Sequence, residues 1–271
     1  MTTDLGRYGP WALIVGASDG VGAAFAEAVA SGGLNVVLVA RRQALLDEVA
    51  AGIAAQHGVQ TRTVAVDLVE PGAADALIEA TADLAIGFLV YCAGADPDFK
   101  PFLAKSISAA EAMVQRNCMV PMRLCHTLVP PMVERGAGAV VIVGSGAGFV
   151  GGPNMVAYGA SKAFGMVFAE ALWSELRHTG VDVIGLILGK TDTPALRRLE
   201  CERGQIASTA EVPDGAAPAE QAVAVALDNL TGGPTVYVGE QVAGMAQLLA
   251  SQGRNESVAF MAQAITAAMG K

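Results

Sequence analysis

Short apolar runs alternate along this chain with longer segments in which apolar residues recur at helical spacing. Brief unbroken apolar runs are typical of strands buried on both faces, and the helical period is typical of amphipathic helices. The runs predict strands at 12–15, 35–40, 60–66, 88–92, 139–143, 182–188 and 235–238. The segments between them predict helices at 21–31, 43–57, 73–81, 108–134, 158–178 and 219–230. This alternation indicates an α/β fold, with a doubly wound parallel sheet between two layers of helices.

The chain is predicted to fold as a single domain over 1–271, because neither a linker nor an internal repeat divides it. The least regular stretch, 190–218, is rich in proline and charge, and we expect it to be a lid over a bound ligand. Helical spacing returns at 243–249 and 256–269. Residues 240–271 therefore predict a helical C-terminal extension that packs on the body or on another subunit.

Composition narrows the class of protein. Hydrophobic residues make up 53% of the chain and charged residues 16%, which excludes intrinsic disorder. Apolar runs such as 34–40 and 183–188 are far shorter than the roughly 18 residues of a membrane-spanning helix. The net charge of −9 argues against binding to nucleic acid. We therefore expect neither a membrane nor a nucleic-acid partner.

The cysteines and histidines predict no disulfide framework and no metal site. Four cysteines occur without a C-x-x-C pair, and three histidines are scattered along the chain. The first seven residues lack the basic and then apolar order of a secretory signal. Together these features predict a cytoplasmic protein.

The first predicted strand runs into a glycine-rich turn, Gly16-Ala17-Ser18-Asp19-Gly20-Val21-Gly22, which opens the first helix. Glycines permit a tight turn and a close approach of the backbone to a pyrophosphate, and the helix N-terminus supplies free N–H groups. Ordinary turns also contain glycines, but the position between the first strand and the first helix favours a dinucleotide site.

The end of the second strand bears on which dinucleotide binds. Ala40 occupies the position at which an acid would meet a ribose 2′-hydroxyl, and Arg41 and Arg42 follow it. Guanidinium groups suit a 2′-phosphate, so we predict a preference for NADP(H), with NAD(H) and a merely solvated basic turn as alternatives. Asp19 would oppose a 2′-phosphate if its carboxylate points towards it.

Asp67 and Leu68 close the third predicted strand. Both are predicted to border the adenine, where Asp67 would accept a bond from its amino group. A plain turn aspartate is an equal alternative.

Tyr158 and Lys162 are spaced i and i+4 on a predicted helix and so share one of its faces. A free tyrosine has a pKa near 10, and a neighbouring ammonium favours the tyrosinate. The pair is therefore a candidate general acid–base unit, although a packed tyrosine beside a solvated lysine is the plain alternative. Ser145 follows the strand at 139–143, at the carboxyl edge where open α/β sheets bind ligands.

Taken together, these motifs resemble the short-chain dehydrogenase/reductase family, up to about Gly239. The resemblance implies a Rossmann-type fold and places Ser145, Tyr158, Lys162 and Asn117 on the catalytic positions. In the family, the tyrosine exchanges a proton with the substrate oxygen, which the serine also binds. The lysine holds the nicotinamide ribose and tunes the tyrosine, and the asparagine supports a proton relay through water.

The chain departs from the family pattern at three places. Val15 replaces a common threonine, and the family's Asn-Asn-Ala-Gly reads Tyr91-Cys92-Ala93-Gly94, so we expect the side-chain contacts that steady this loop to be lost. Leu188-Gly189 replaces Pro-Gly. The resemblance still implies cofactor contacts from Ala93, Gly94, Gly189, Thr191 and Thr193. Cys92 is predicted to be a small buried hydrophobe rather than a reactive thiol.

The substrate side is predicted to be apolar, which favours an apolar carbonyl compound or alcohol. Its candidate residues are Phe149, Val150, Met155, Ala195 and Leu196, beside Ser145 and Tyr158. Arg197, Arg198 and Arg203 are an alternative, as a site for the phosphate of an acyl carrier. The resemblance also implies a homodimer or homotetramer built on the helices that hold Asn117 and Tyr158.

The predicted function is that of an NADP(H)-preferring oxidoreductase acting on a small-molecule carbonyl or secondary alcohol. Alternatives within the fold are an NAD-dependent alcohol dehydrogenase and a 3-oxoacyl reductase. A nucleotide-sensing protein without turnover is the alternative from a different class, and the complete Ser/Tyr/Lys/Asn set argues against it.

Overall fold

A parallel sheet lies at the centre of the computed structural model, which describes residues 4–95 and 98–269. Its strands are β1 (Trp11–Val15), β2 (Asn35–Ala40), β3 (Thr61–Ala65), β4 (Ile86–Tyr91), β5 (Gly138–Ser145), β6 (Val181–Leu188) and β9 (Thr235–Tyr237). Within the described residues this sheet has seven strands in the order β3-β2-β1-β4-β5-β6-β9. Two short strands, β7 (Thr191–Asp192) and β8 (Ala217–Pro218), pair separately. The doubly wound α/β prediction is confirmed.

Helices cover both faces of the sheet. They are α1 (Gly20–Ser31), α2 (Gln43–His57), α3 (Ala73–Ala80), α4 (Ile107–Val114), α5 (Val120–Arg135), α6 (Val156–Leu176), α7 (Pro194–Glu202), α8 (Ala219–Asp228), α9 (Glu240–Ser251) and α10 (Arg254–Met269). One buried cluster joins the sheet to α1, α2 and α8, and a second joins it to α3, α5 and α6. Strands such as β4, buried at every residue, are apolar throughout because helices cover both of their faces.

The order of the strands positions the candidate site. The chain crosses from β3, on one edge, to β4, beside β1 on the other side, so the strand order reverses between β1 and β4. Open α/β sheets bind ligands at the carboxyl ends of the strands at such a point. The glycine-rich turn after β1 and the loop after β4 both lie there.

The predicted helix 108–134 proves to be three helical pieces. A π-helical turn, Gln115–Met119, separates α4 from α5, and Ser106 caps α4 by accepting a bond from Ala109 N at 3.3 Å. Pro121 lies in the first turn of α5, where its missing N–H costs little. The π-turn carries Asn117, so the insertion determines where this side chain points.

The prediction that 190–218 is irregular is also wrong in part, because this segment contains β7, α7 and β8. Its role as a lid stays a prediction. Thr193 caps α7, its hydroxyl accepting a bond from Leu196 N at 3.1 Å, and Pro194 occupies the first helical position. Ion pairs Arg197–Asp192 at 2.6 Å and Lys190–Glu200 at 2.8 Å hold the helix to its own loop. The charged side chains that made the segment read as a loop therefore stabilise a helix.

The C-terminal extension is helical, as predicted. The pair α9 and α10 is joined by a turn in which Gly253 N donates to Glu256 at 3.1 Å. Ser257 is buried and donates to Leu249 O at 2.9 Å, which fixes α10 against α9. Among the described helices none is long and apolar enough to cross a membrane.

Candidate active site

The glycine-rich turn is packed so closely that a side chain at any of its three glycines would overlap a neighbour. A Cβ at Gly22 would lie 2.0 Å from the carbonyl oxygen of Gly16, so the glycine-rich turn directly contacts the first helical turn of α1. Gly16 has a φ of +97°, and a Cβ there would lie 2.8 Å from Ala93 N in the loop after β4. A Cβ at Gly20 would lie 2.8 Å from Thr193 Cγ2. The turn thus meets both of the loops predicted to contact the cofactor.

The two arginines at the end of β2 have different partners. Arg42 donates to Asp19 at 2.8 Å and is also 3.4 Å from Ser18 Oγ. Arg41 is 72% exposed, and its nearest acidic partner is Asp67, 4.0 Å away. The carboxylate of Asp19 is therefore paired with Arg42, which offsets part of the repulsion that it would exert on a 2′-phosphate.

Asp67 occupies the turn position that was the alternative to an adenine contact. Its carboxylate accepts a bond from Val69 N at 3.3 Å, and Leu68 beside it is buried. This bond fixes the backbone at the end of β3. The adenine contact remains a prediction.

Lys162 is buried beneath Tyr158 at the carboxyl end of β5. Its Nζ donates to Val143 O at 2.9 Å and lies 5.8 Å from the centroid of the Tyr158 ring. Burial lowers the pKa of Lys162 from 10.5 to about 8. Tyr158 and Lys162 therefore lie together on one helix face, as predicted, and the ammonium of Lys162 is held in place by its bond to the carbonyl oxygen of Val143 on β5.

The pKa of Lys162 makes stability depend on pH in a predictable direction. Because this pKa, about 8, lies below that of an unfolded lysine, the folded state loses its proton first as the pH rises. At pH values below both pKa values, Lys162 is protonated in the folded and in the unfolded state, so the difference in the free energy of unfolding between the wild type and Lys162→Met is constant. Between them, the free energy of unfolding of the wild type should rise relative to Lys162→Met, by up to about 1.4 kcal/mol per pH unit.

Urea unfolding of the wild type and Lys162→Met at pH 7, 8, 9 and 10 measures this difference. Lys100→Met, which removes an exposed lysine, is the matched control for the loss of one positive charge. Parallel curves for the wild type and Lys162→Met would contradict a depressed pKa for Lys162.

Asn117 connects the loop after β4 to the helix that carries Tyr158. It is buried, and its Nδ2 donates to Ser161 Oγ at 2.8 Å, while that hydroxyl donates to Tyr158 O at 2.8 Å. Gly94, with a φ of +127°, leaves room for it, since a Cβ there would lie 2.4 Å from Asn117 Oδ1. Ser161 was not identified from the sequence, although its place between Tyr158 and Lys162 was the available signal.

The loop after β4 is steadied by a residue that the sequence analysis missed. Arg116 donates from Nη2 to Ala95 O at 2.9 Å and from Nε to Asn117 Oδ1 at 3.1 Å. The hydroxyl of Tyr91 donates to Arg116 O. Arg116 and Tyr91 therefore supply this loop with side-chain contacts other than those expected to be lost.

Cys92, predicted to be a buried residue, is half-buried beneath this loop. Burial raises its pKa to about 12, so the thiol stays protonated at neutral pH and is a poor nucleophile.

Ser145 ends β5 on the same edge of the sheet. Its Oγ accepts a bond from Ala147 N at 3.2 Å, which fixes the turn that leads to Phe149. Val150 is buried, and the ring of Phe149 packs edge-on against Tyr237 at 6.0 Å. These contacts hold the loop after β5 against the body of the protein.

The C-terminal extension reaches this loop. Arg254 donates to Phe149 O at 2.9 Å. A Cβ at Gly152 would lie 2.4 Å from Ile265 Cδ1 and 3.5 Å from Met155 Cε. Helix α10 therefore packs against the loop that holds the predicted substrate residues, a contact between distant parts of the chain for which the sequence carried no signal.

The predicted lid residues lie along the start of α7. Thr191 is buried, Thr193 caps the helix beside Gly20, Leu196 is half-buried and Ala195 is exposed. Gly189 lies against α9, since a Cβ there would be 2.7 Å from Val242 Cγ2.

The arginines predicted as an alternative phosphate site have other partners. Arg197 binds both oxygens of Asp192 at 2.6 Å, and Arg198 lies 3.9 Å from Asp19. Arg203 lies over the ring of Phe99 at 5.0 Å. These contacts do not favour a phosphate site formed by the three arginines.

The described residues contain no cluster of histidine, cysteine, aspartate and glutamate that could hold a metal ion.

Comparison with known proteins agrees with this geometry. The family model for short chain dehydrogenase matches residues 10–203. A 7beta-hydroxysteroid dehydrogenase from Collinsella aerofaciens is 39% identical over 190 residues, covering 70% of this chain and 72% of that protein. The human very-long-chain 3-oxoacyl-CoA reductase is 33% identical over 178 residues, covering 65% of this chain and 57% of that protein.

Solved structures give the same result. A structure from work on 7beta-hydroxysteroid dehydrogenase stereoselectivity superposes with a TM-score of 0.84 at 32% identity, covering 95% of this chain and 98% of that one. A short-chain dehydrogenase from Sphingobium yanoikuyae, in complex with NADPH, superposes with a TM-score of 0.76 at 29% identity, covering 90% and 96% of the two chains. The chain belongs to the short-chain dehydrogenase family of NAD(P)-dependent oxidoreductases.

Proposed function

We propose that this enzyme prefers NADP(H) and moves a hydride between its nicotinamide and a carbonyl or secondary alcohol carbon of a largely apolar substrate. The observation that carries the proposal is the buried ammonium of Lys162, one helical turn from Tyr158 and 5.8 Å from its ring. A phenol with a cation so placed is suited to exchange a proton near neutral pH.

The glycine-rich turn fits a dinucleotide, because Gly16 and Gly22 let it pack closely on the start of α1, whose N-terminus has no side-chain cap. We propose that residues 16–22 cradle the pyrophosphate, with Arg41 at the 2′-phosphate and Asp67 and Leu68 at the adenine. The nicotinamide end would be held by residues 93–94, Gly189, Thr191, Thr193 and Lys162. When bound, the cofactor supplies the hydride chemistry, and the protein supplies position and charge.

The catalytic proposal assigns a separate role to each side chain. Tyr158 would donate its proton to the carbonyl oxygen in reduction and accept one in oxidation, while Ser145 donates a hydrogen bond to the same oxygen. Asn117, held between Gly94 and Ser161, would order the path by which a proton returns to the site. Phe149, Met155 and the residues at the start of α7 would enclose the apolar part of the substrate.

A panel of ketones tests the proposal, with NADPH or NADH as the reductant and loss of the reduced nicotinamide as the readout. Bulky apolar ketones should be reduced faster with NADPH than with NADH. Faster turnover with NADH would favour the alternative of an NAD-dependent alcohol dehydrogenase. Preference for 3-oxoacyl thioesters would favour an acyl reductase, the activity for which one of the relatives is named. Cofactor binding without any turnover would favour a nucleotide sensor.

Arg41→Ala should weaken NADPH binding far more than NADH binding. Loss of a charge-assisted contact to a phosphate is expected to raise the Kd for NADPH about tenfold or more, and to leave the Kd for NADH nearly unchanged. Fluorescence titration of both cofactors measures this. Arg123→Ala, which removes an equal charge from a surface pair with Asp75, is the matched control. Equal weakening of both cofactors would refute the phosphate assignment.

We also propose that 1–271 is one domain and that the protein assembles as a homodimer or homotetramer through α5 and α6. A groove of about 580 Å³ runs between these helices, lined by apolar side chains such as Val129 and Phe168. Val167 on α6 is 57% exposed, and α4 exposes Ile107 and Val114. An apolar face of this kind is typical of an interface between subunits.

Val167→Glu should therefore shift the protein towards monomers in light scattering, because a carboxylate would be buried without a partner at the interface. Val212→Glu alters an equally exposed valine in the lid and should leave the assembly unchanged. An unchanged mass for Val167→Glu would place the interface elsewhere.

A further inference from the structure

The side-chain amide of Asn117 is held at both of its ends. Its Oδ1 accepts a bond from Arg116 Nε at 3.1 Å, and its Nδ2 donates to Ser161 Oγ at 2.8 Å. A guanidinium carries N–H donors and no acceptor, so the amide must turn its oxygen towards Arg116. Arg116 therefore decides which end of the amide faces Ser161 and the helix that carries Tyr158.

The hydrogen bonds continue to that helix without a change of direction. The hydroxyl of Ser161 accepts from Asn117 and donates to Tyr158 O at 2.8 Å, in the first turn of α6. From Arg116 onward each group accepts from the one before it and donates to the next, so the bond dipoles add. Asn117 and Ser161 are buried, so water does not compete for these bonds. We name the series Arg116, Asn117, Ser161 and the carbonyl of Tyr158 the Arg116 chain.

Arg116 is itself held on the loop after β4. Its Nη2 donates to Ala95 O at 2.9 Å, and the hydroxyl of Tyr91 donates to its backbone oxygen. Arg116 is half-buried and lies in the π-helical turn Gln115–Met119. Ala95 follows directly on residues 93–94, for which we propose contacts to the cofactor. The Arg116 chain thus joins the loop on the cofactor side to the helix on the proton side.

We propose that Arg116 is a positioning residue for the reaction, because it orients the amide of Asn117 and, through Ser161, holds the first turn of α6 to the loop after β4. The inference rests on the proposed function, in which Asn117 orders the path of the returning proton. It adds Arg116 and Ser161 to the residues on which that path depends. The planar fork of a guanidinium suits this place, because it donates to Asn117 and to Ala95 O at once.

Proton exchange of the asparagine side-chain amides, labelled with ¹⁵N, reads the orientation without turnover. The chain has five asparagines, and the NMR signals that are missing in Asn117→Ser identify this amide. In the wild type its protons should exchange with water about tenfold more slowly than those of the exposed Asn255. Arg116→Met removes the donor and should make their exchange about tenfold faster. Arg123→Met, from the surface pair with Asp75, is the matched control and should leave it unchanged.

Kinetics connect the Arg116 chain to the reaction. Arg116→Met should lower kcat for ketone reduction about tenfold, as expected for the loss of one hydrogen bond from a charged donor, and change KM less than about twofold. The solvent deuterium isotope effect on kcat should rise, because the return of the proton then limits the rate. Ser161→Ala cuts the chain at its other end and should act alike. The double variant should lose about twentyfold at most, whereas two independent sites would lose about a hundredfold.

Three results would overturn the inference: an unchanged kcat in Arg116→Met, multiplicative losses in the double variant, or exchange of the Asn117 amide that does not respond to Arg116→Met. Ser161→Ala decides the question if Arg116→Met does not fold, and unchanged exchange of the Asn117 amide in that variant would overturn the inference equally. If the amide responds as expected in a protein that reduces no ketone, the Arg116 chain stands and the proposed function is refuted instead.

Discussion

Tyr158→Phe should lower kcat for ketone reduction about a thousandfold, the largest effect that we expect from a single oxygen atom in this protein. The phenylalanine keeps the ring above Lys162, which remains 2.9 Å from Val143 O. The variant loses the proton that the proposed mechanism donates to the substrate oxygen. Steady-state rates with the best substrate of the panel give the measurement, and a fluorescence titration should show NADPH binding nearly unchanged.

Tyr237→Phe is the matched control, because its ring also lies against the loop after β5, 6.0 Å from Phe149. Removing that hydroxyl should change kcat by less than about twofold, as is usual for a surface substitution. Equal rates for Tyr158→Phe and the wild type would remove the proposed role of the phenol and with it the reaction mechanism.

Gly22→Ala should disable the enzyme without touching a catalytic side chain. The added Cβ would lie 2.0 Å from Gly16 O, a backbone atom that no side-chain rotation can move away. Relief of this overlap must move the turn away from α1. We expect the free energy of unfolding to fall by about 3 kcal/mol and kcat/KM to fall about a hundredfold, since a shift of about 1 Å misplaces the cofactor.

Gly52→Ala makes the same chemical change in the middle of α2, where a Cβ would meet nothing within 4 Å. The free energy of unfolding of that variant should rise by about 0.5–1 kcal/mol, because alanine loses less backbone entropy than glycine on forming a helix. Urea unfolding and NADPH titration of the two variants separate local crowding from helix propensity. A Gly22→Ala enzyme with wild-type affinity for NADPH would show that the turn is not the cradle we propose.

The sequence predicted the central sheet well because its strands are buried on both faces and are therefore continuous apolar runs. Segments such as 35–40 and 182–188 differ little from β2 and β6. Helix α7 was missed for the opposite reason. It is a short charged helix held by ion pairs such as Arg197–Asp192, and its low overall hydropathy hid the few apolar residues that share one of its faces. The cap at Thr193 was a further local signal.

The candidate site was predictable where a motif is local and was missed where it depends on tertiary contacts. Tyr158 and Lys162 lie one turn apart in the sequence and in space. Arg116 acts through Ala95 and Tyr91, which are separated from it by more than a strand's length, and no spacing rule connects them. The π-turn that orients Asn117 is likewise a one-residue insertion, and the helical spacing of apolar residues does not reveal it.

The seating of α10 on the loop after β5 has a consequence for how the enzyme is made and handled. Ile265 and Arg254, which meet that loop at Gly152 and Phe149, follow every other part of the candidate site in the sequence, so a ribosome releases them after those parts. A nascent chain can thus assemble its nucleotide cradle before it can finish the wall next to Met155. For the same reason, a variant shortened to stop before Arg254 would lack this wall.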